Sequence, residues 1–170
     1  NDGMLRYTGY ERISGSISGL AKAFNNKVLF GTNVRIVNSN ETLTARDLGG
    51  AATTFLAVTL APTIPVYQAD GVTFAGASGG GYSDRNNPLH MQYISRWNNT
   101  NRIAAFGNVF AELQLAKNLY FKTNIGADYS NFFNKVITPT FSEGAFNRTT
   151  HSLTHDKNQY LSSTFSNTLR

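Results

Sequence analysis

A glycine-rich segment, "GASGG" at residues 76–80, matches the G-x-S-x-G pattern of a hydrolase nucleophile elbow, with Ser78 in the nucleophile position. Side chains that could complete a catalytic triad are present at Asp84, His90, His151 and His155. The elbow, however, needs a strand before the serine and a helix after it, whereas the residues that follow, "GYSDRNNP", are turn-forming. The sequence therefore predicts a glycine-rich loop at Ser78, and no enzymatic activity.

The sequence signals for a metal site and for a cofactor site are equally weak. His151 and His155 have a spacing that would suit a metal site on a helix, but no cysteine exists in the chain and no acidic third ligand completes a known zinc motif. The glycines form neither a G-x-G-x-x-G fingerprint nor a P-loop with its lysine. We expect no bound metal and no cofactor, and a solvated pair of histidines in a loop.

Charge patterning argues against a nucleic-acid partner. The net charge is +5 and the sequence pI is about 9.6, yet the basic residues are scattered singly along the chain. Neutralising phosphates requires a basic patch or helix face. Charged residues make up only 15% of the 170 residues, against about 25% in an average soluble domain. The low charge is instead compatible with a chain that faces an apolar medium.

Five stretches alternate apolar and polar residues with the period of a β-strand. They cover residues 9–24, 27–38, 102–115, 119–130 and a fifth from about 157 to the end of the sequence. In each stretch, alternate residues point to the same side of the strand, and we call such a set a parity. Gly, Ala, Ile, Val and Leu dominate one parity, and Ser, Asn and single charges dominate the other. No apolar run reaches the roughly 20 residues of a membrane-spanning helix. Any contact with a membrane must therefore come through strands.

The connections between these strands alternate in length. The first and second strands are joined by "NNK" (25–27) and the third and fourth by "AKN" (116–118), whereas the other two connections are far longer than hairpin loops. Short connections at one end of a sheet and long ones at the other describe an up-and-down outer-membrane barrel. The sequence therefore predicts an all-β, antiparallel, transmembrane barrel segment, with long extracellular loops at roughly 40–100 and 132–156.

Several short motifs resemble the SusC/RagA family of TonB-linked outer-membrane transporters. They are "GYERISGSI" (9–17), "PTIPVYQADG" (62–71), "NNPL" (86–89), "NVFAELQLAKNLYFKTNIGADYSN" (108–131), "PTFSEG" (139–144) and "STFSNTL" (163–169). Each motif is weak by itself, and their order and spacing together carry the resemblance. It extends over almost the whole chain, from Tyr10 to Arg170.

The resemblance implies a role in nutrient uptake across the outer membrane of a Gram-negative bacterium. Members of the family form a 22-stranded barrel with a plug domain, draw energy through TonB, and import oligosaccharides or peptides under a SusD-like surface lipoprotein. Residues 1–170 would supply about five strands of such a barrel and no plug domain, so the chain is expected to be a segment of a longer receptor whose outer face contacts lipid.

Two sets of residues are candidates for function within that interpretation. The side chains expected to face the barrel lumen are charged and lie on the polar parity of the strands: Arg12, Arg35, Arg102, Glu112, Lys122 and Asp128. Their simpler role is to hydrate the wall or to hydrogen-bond a plug. In the first long loop, Tyr67, Tyr82 and Trp97 are candidates for stacking against a sugar or a peptide. Trp97 could equally belong to an aromatic girdle at the membrane interface.

The competing interpretation is a soluble, secreted β-sandwich that binds carbohydrate, because a sandwich also alternates inward and outward residues. The two interpretations differ in what covers the apolar parity. In a sandwich, a second sheet of the same chain buries it. In a membrane barrel, lipid covers it.

Overall fold

The protein is described by a computed structural model that covers residues 5–42, 53–77 and 84–170. It is an all-β chain with two short helices, as the alternation predicts. The elements are β1 (Gly9–Ala23), β2 (Val28–Thr42), α1 (Thr53–Thr59), α2 (Pro88–Ser95), β3 (Asn99–Ala116), β4 (Leu119–Thr138), β5 (Phe141–Glu143), β6 (Phe146–Arg148) and β7 (Ser152–Leu169). The five long strands form one antiparallel sheet in the order β1-β2-β3-β4-β7. A separate hairpin pairs β5 with β6.

Tight turns join β1 to β2 and β3 to β4, as the short connections predict. Phe24, Asn25 and Asn26 have positive φ angles of 53°, 55° and 66°, and Asn118 closes the second turn at 66°. Asparagine tolerates this left-handed conformation better than most residues, which explains its presence in both turns. Each hairpin thereby fixes the register of its two strands.

The strands extend further than the apolar alternation does. β2 continues to Thr42 and β4 to Thr138, while β7 begins at Ser152, five residues before its predicted start. Alternation reports what each face contacts, whereas backbone pairing continues after both faces have become polar. The predicted loop at 132–156 is correspondingly shorter, and His155 lies in a strand, where the helical spacing to His151 does not apply.

By its internal contacts the chain divides into two compact units. One comprises residues 12–39, 101–133 and 157–170, and it contains the alternating parts of all five long strands. The other comprises residues 1–11, 40–100 and 134–156, and it contains both helices and the β5–β6 hairpin. We call them the sheet unit and the loop unit.

In the sheet unit, the apolar side chains are not covered by other residues of the chain. Ile17 is 74% exposed, Val109 is 53% exposed and Leu161 is 72% exposed. On the same parity of the inner strands the exposed fractions are lower: 36% at Val34, 40% at Ile103 and 37% at Leu119, with Leu113 and Phe121 half-buried. Among the described residues of the sheet unit no large hydrophobic side chain is buried, since the buried ones (Leu56, Ala75, Ala77 and Ile94) all lie in the loop unit. In the described part of the chain, therefore, no second sheet covers these side chains as it would in a sandwich.

The loop unit has a small core of its own. α1 packs against α2 and buries Leu56, while α2 buries Ile94. Neither helix, nor any other in the described ranges, has the length and apolar character to cross a membrane.

Candidate functional site

Asn87, the second asparagine of "NNPL", connects three segments of the loop unit. Its Oδ1 caps α2 by accepting hydrogen bonds from the backbone N–H groups of Leu89 (3.0 Å) and His90 (3.4 Å). Its Nδ2 donates to the carbonyl oxygens of Val66 and Ala75, both at 2.9 Å. The asparagine precedes a proline at the first helical position, an arrangement that favours helix initiation. One buried amide therefore fixes α2 against the segment around Val66.

Glu143 lies at the centre of this unit with no exposed surface. One carboxylate oxygen accepts a hydrogen bond from the backbone N–H of Asn87, and the other contacts Nδ1 of His90. The contact turns Nδ1 toward the carboxylate and leaves Nε2 on the opposite side of the ring. No hydrogen bond to Nε2 is found among the described residues. The pair thus holds the imidazole in one orientation.

Two glycines allow the segments around Glu143 and Ala77 to pack closely. A Cβ at Gly76 would lie 2.5 Å from Cγ of Glu143, and one at Gly144 would lie 2.4 Å from the carbonyl oxygen of Ala77. Gly144 also has a φ of 58°, which disfavours any side chain. The N–H of Ala145 donates to that Ala77 oxygen at 2.7 Å. The "SEG" of the fifth motif thereby packs closely on the residues just before Ser78.

Tyr67 is held by a turn at Asp70 and Gly71. It forms an isolated antiparallel bridge with Phe74, and their rings lie 5.2 Å apart. Asp70 closes the turn by accepting hydrogen bonds from the hydroxyl of Thr73 and from the backbone N–H groups of Val72 and Thr73. These bonds, the hydroxyl of Thr73 first, lower the pKa of Asp70 below its usual value. The turn at Asp70-Gly71 thus positions an aromatic pair.

An aromatic cavity of about 540 Å³ opens beside His90. Phe74 stacks on the imidazole with ring centroids 4.6 Å apart and nearly parallel planes, and Phe141 packs against that ring edge-on at 5.3 Å. Tyr93 packs against Phe74 at 5.5 Å and against Tyr7 at 6.0 Å. The volume lies within the usual range of small-molecule sites, about 300–1,000 Å³. The buried Glu143–His90 pair therefore supports a preformed aromatic pocket.

The three predicted stacking residues have different outcomes. Tyr67 lines the cavity and is 38% exposed. Trp97 does not line it, but its ring lies 5.0 Å from the guanidinium of Arg96, which does. Tyr82 lies outside the described residues, as does Ser78 of the considered nucleophile elbow.

The side chains considered for a triad or a metal site are engaged elsewhere. Asp84 pairs with Arg85 at 2.9 Å, and His90 is committed to Glu143. His151 contacts the backbone N–H of Thr140 at 3.3 Å. Within the described ranges, no group of three or more potential ligands is assembled that could hold a metal ion.

The six charged residues expected to face a lumen lie on one face of the sheet unit. Three contacts show this shared face for β3, β4 and β7: Arg102 donates to Ser130 (3.4 Å), Lys122 lies over the ring of Phe110 (4.3 Å), and Arg170 pairs with Glu112 (2.9 Å). Phe110 in turn covers Gly31, where a Cβ would lie 2.1 Å from the ring and 3.0 Å from Leu20. Strand alternation from Leu20 and Gly31 then places Arg12 and Arg35 on this face, and alternation from Lys122 places Asp128 there.

Sequence reasoning missed most of the loop-unit site. The segments "PTIPVYQADG", "NNPL" and "PTFSEG" contribute Val66, Asn87 and Glu143 respectively, and the structure brings the three together. Asn before a proline at a helix start was a readable capping signal. The partnership of Asn87 with Glu143 spans 56 positions, and no local pattern encodes it.

Comparison with known proteins gives no family model that matches the chain and no match among curated proteins. The resemblance to SusC/RagA transporters consequently depends on the quoted motifs alone.

Proposed function

We propose that the chain forms a membrane-embedded segment of an outer-membrane barrel, within a TonB-dependent importer of the SusC/RagA type. Such an importer takes up oligosaccharides or peptides together with a SusD-like lipoprotein. The observation that carries the proposal is the exposed apolar parity of the sheet unit, which includes Ile17, Val109 and Leu161. Contiguous apolar surface of this kind marks an interaction site, and a lipid bilayer is the partner that would cover every strand alike.

The extent of the apolar band supports a bilayer as that partner. The outermost apolar residues of this parity enclose the segments 13–23, 28–36, 103–115, 119–129 and 161–169. The next residues of the same parity toward the long connections are polar: Glu11, Asn38, Asn101, Asn131 and Gln159. Each segment thus spans about nine to thirteen residues, and a tilted transmembrane strand needs about 9–11. At a rise of about 3.3 Å per residue and a tilt of about 45°, eleven residues cover about 25 Å, the height of the apolar band of such barrels.

Polar side chains mark the end of the band toward the long connections. The amide of Asn101 donates to Oδ1 of Asn38 at 3.0 Å, and Gln159 donates to the hydroxyl of Tyr129 at 3.0 Å. A tyrosine with its ring on the apolar parity and its hydroxyl bonded to an amide suits the interface between hydrocarbon and water. The boundary therefore has the chemistry expected where strands leave a membrane.

The open edges of the sheet support a larger barrel. β1 and β7 are its edge strands, and among the described residues each has one side without a neighbour in the sheet. Unpaired backbone groups are costly in hydrocarbon, so strands span membranes only in closed barrels. Further strands on both sides are required for closure, because five strands are fewer than the eight of the smallest common barrels.

Membrane insertion of the isolated chain tests this proposal. We expect the purified chain to need detergent and to transfer into phospholipid vesicles, where copies of the chain pair along the open edges of β1 and β7. The inserted chain should show β-type circular dichroism, with its strands protected from protease added outside. The matched comparison is the same preparation in buffer alone, which we expect to aggregate. A monomeric chain that unfolds cooperatively in buffer without detergent would support the soluble carbohydrate-binding module instead.

A further inference from the structure

The aromatic cavity of the loop unit presents ring faces at fixed positions. Tyr7, Tyr67 and Tyr93 are 45%, 38% and 38% exposed, so part of each ring is accessible from the cavity. Phe74 contacts both Tyr67 and Tyr93 and is itself stacked on the imidazole of His90. Because His90 is anchored by buried Glu143, these rings are preorganised for a flat ligand face.

Polar groups are placed between the rings. The lining includes Thr140, Ser142 and His90, and Nε2 of His90 has no hydrogen bond among the described residues. Apolar walls with a few fixed polar groups are typical of sites that orient a small ligand. A sugar ring matches this lining, because it combines an apolar C–H face with hydroxyl groups around its edge.

Arg96 is the charged residue among the described side chains of the lining. Its guanidinium lies 3.6 Å above the ring of Tyr93 and donates through Nη1 to the backbone oxygen of that residue, which holds it in place. The carboxylate of Glu143 is fully buried behind His90, and that of Asp70 is occupied by hydrogen bonds within its own turn. The cavity therefore presents one oriented positive charge, and guanidinium groups favour carboxylate ligands.

We propose that this cavity binds a sugar ring that carries a carboxylate, a hexuronic acid unit of an oligosaccharide. The carboxylate pairs with Arg96, and the C–H face of the ring stacks on a tyrosine such as Tyr67. As a statement about cargo, this inference depends on the proposed importer, and it narrows the cargo to acidic glycans. As a statement about binding, it applies to the loop unit whether or not the sheet unit enters a membrane.

Trp97 provides the readout, since it is the single tryptophan of the chain and its ring lies 5.0 Å from the guanidinium of Arg96. We titrate the full chain in detergent with trigalacturonate, with maltotriose as a neutral sugar, and with an acidic tripeptide. We expect trigalacturonate to change the tryptophan fluorescence saturably, and maltotriose to bind at least about tenfold more weakly, because it has no charge for Arg96.

Substitutions separate the contribution of the Arg96 charge to affinity from that of ring stacking. We expect Arg96→Gln to weaken trigalacturonate binding by about tenfold to a hundredfold and Tyr67→Ala by about twofold to tenfold. Lys135→Gln removes one positive charge from the same unit at a residue that does not line the cavity, and it should leave affinity unchanged. Isothermal calorimetry repeats each titration without the optical reporter.

The inference would be overturned by no saturable binding of trigalacturonate, by equal affinity for the acidic and neutral sugars, or by tighter binding of the tripeptide. An Arg96→Gln variant with unchanged affinity would do the same. If these binding experiments fail but the chain inserts into membranes, the importer proposal stands. If the chain binds trigalacturonate but is soluble without detergent, the importer proposal is contradicted and the inferred binding site stands.

Discussion

Replacing Glu143 by alanine is expected to loosen the loop unit more than any other single change in it. The substitution leaves the backbone N–H of Asn87 and Nδ1 of His90 buried without their hydrogen-bond partner. Each such unpaired group costs about 1–3 kcal/mol, so the local opening free energy should fall by about 2–6 kcal/mol. Since 1.36 kcal/mol corresponds to a tenfold change in the opening equilibrium, a loss of about 2 kcal/mol accelerates amide hydrogen exchange about thirtyfold. We therefore expect exchange at residues 53–77 and 86–95, measured by mass spectrometry, to be at least about thirtyfold faster.

Two variants serve as controls for that experiment. Glu143→Gln keeps the size of the side chain and one acceptor oxygen, so it should accelerate exchange less than Glu143→Ala does. Ser142→Ala changes the exposed neighbouring residue and should leave exchange unchanged. If Glu143→Ala exchanged as slowly as Ser142→Ala, the buried carboxylate would not be the element that holds this unit together.

Replacing Ile17 by arginine should destabilise the sheet in a membrane while having little effect in water. Ile17 is 74% exposed and lies near the middle of the apolar band of β1. At an exposed position in water such a substitution changes stability by about 0.5 kcal/mol or less. Facing lipid near the midplane, arginine costs about 2–4 kcal/mol. Denaturant unfolding of the vesicle-inserted chain, followed by circular dichroism, distinguishes these values.

Ser16→Arg is the matched control, because Ser16 is the adjacent residue of β1, is also exposed and points to the opposite face. It should change the unfolding free energy by less than about 1 kcal/mol, since a hydrated wall tolerates a charge. Equal losses from Ile17→Arg and Ser16→Arg would mean that the two faces of β1 meet the same medium. That result would remove the reason for assigning the apolar face to lipid.

The sheet could be predicted from the sequence because its cause is local. Alternation from Ile13 to Ala23 and from Ile103 to Leu115 sets the strands, and asparagine-containing turns set the hairpins. The strand ends were predicted short because the apolar parity stops at Asn38 and Asn101, whereas backbone pairing does not depend on side-chain polarity.

The loop-unit site could be predicted only in part. Tyr67 was recognised as an exposed aromatic residue of a long loop, but Arg96, Phe74 and Phe141 have no local pattern that assigns them to a cavity. Their convergence depends on a carboxylate far away in sequence, at Glu143. Contacts of this kind are set by tertiary packing, and a single sequence does not reveal which distant polar residues become partners.

The most direct test of lipid contact is a spin-label scan along β1. The chain has no cysteine, so single-cysteine variants at residues 12–23 label cleanly. In vesicles, collisions with oxygen, which concentrates in hydrocarbon, should peak at Ile13, Ile17 and Ala21, and collisions with a water-soluble nickel complex should peak at Ser14, Ser16 and Ser18. Uniform access of the nickel complex to both sets, or protection of the isoleucines from both reagents, would contradict a lipid-facing sheet.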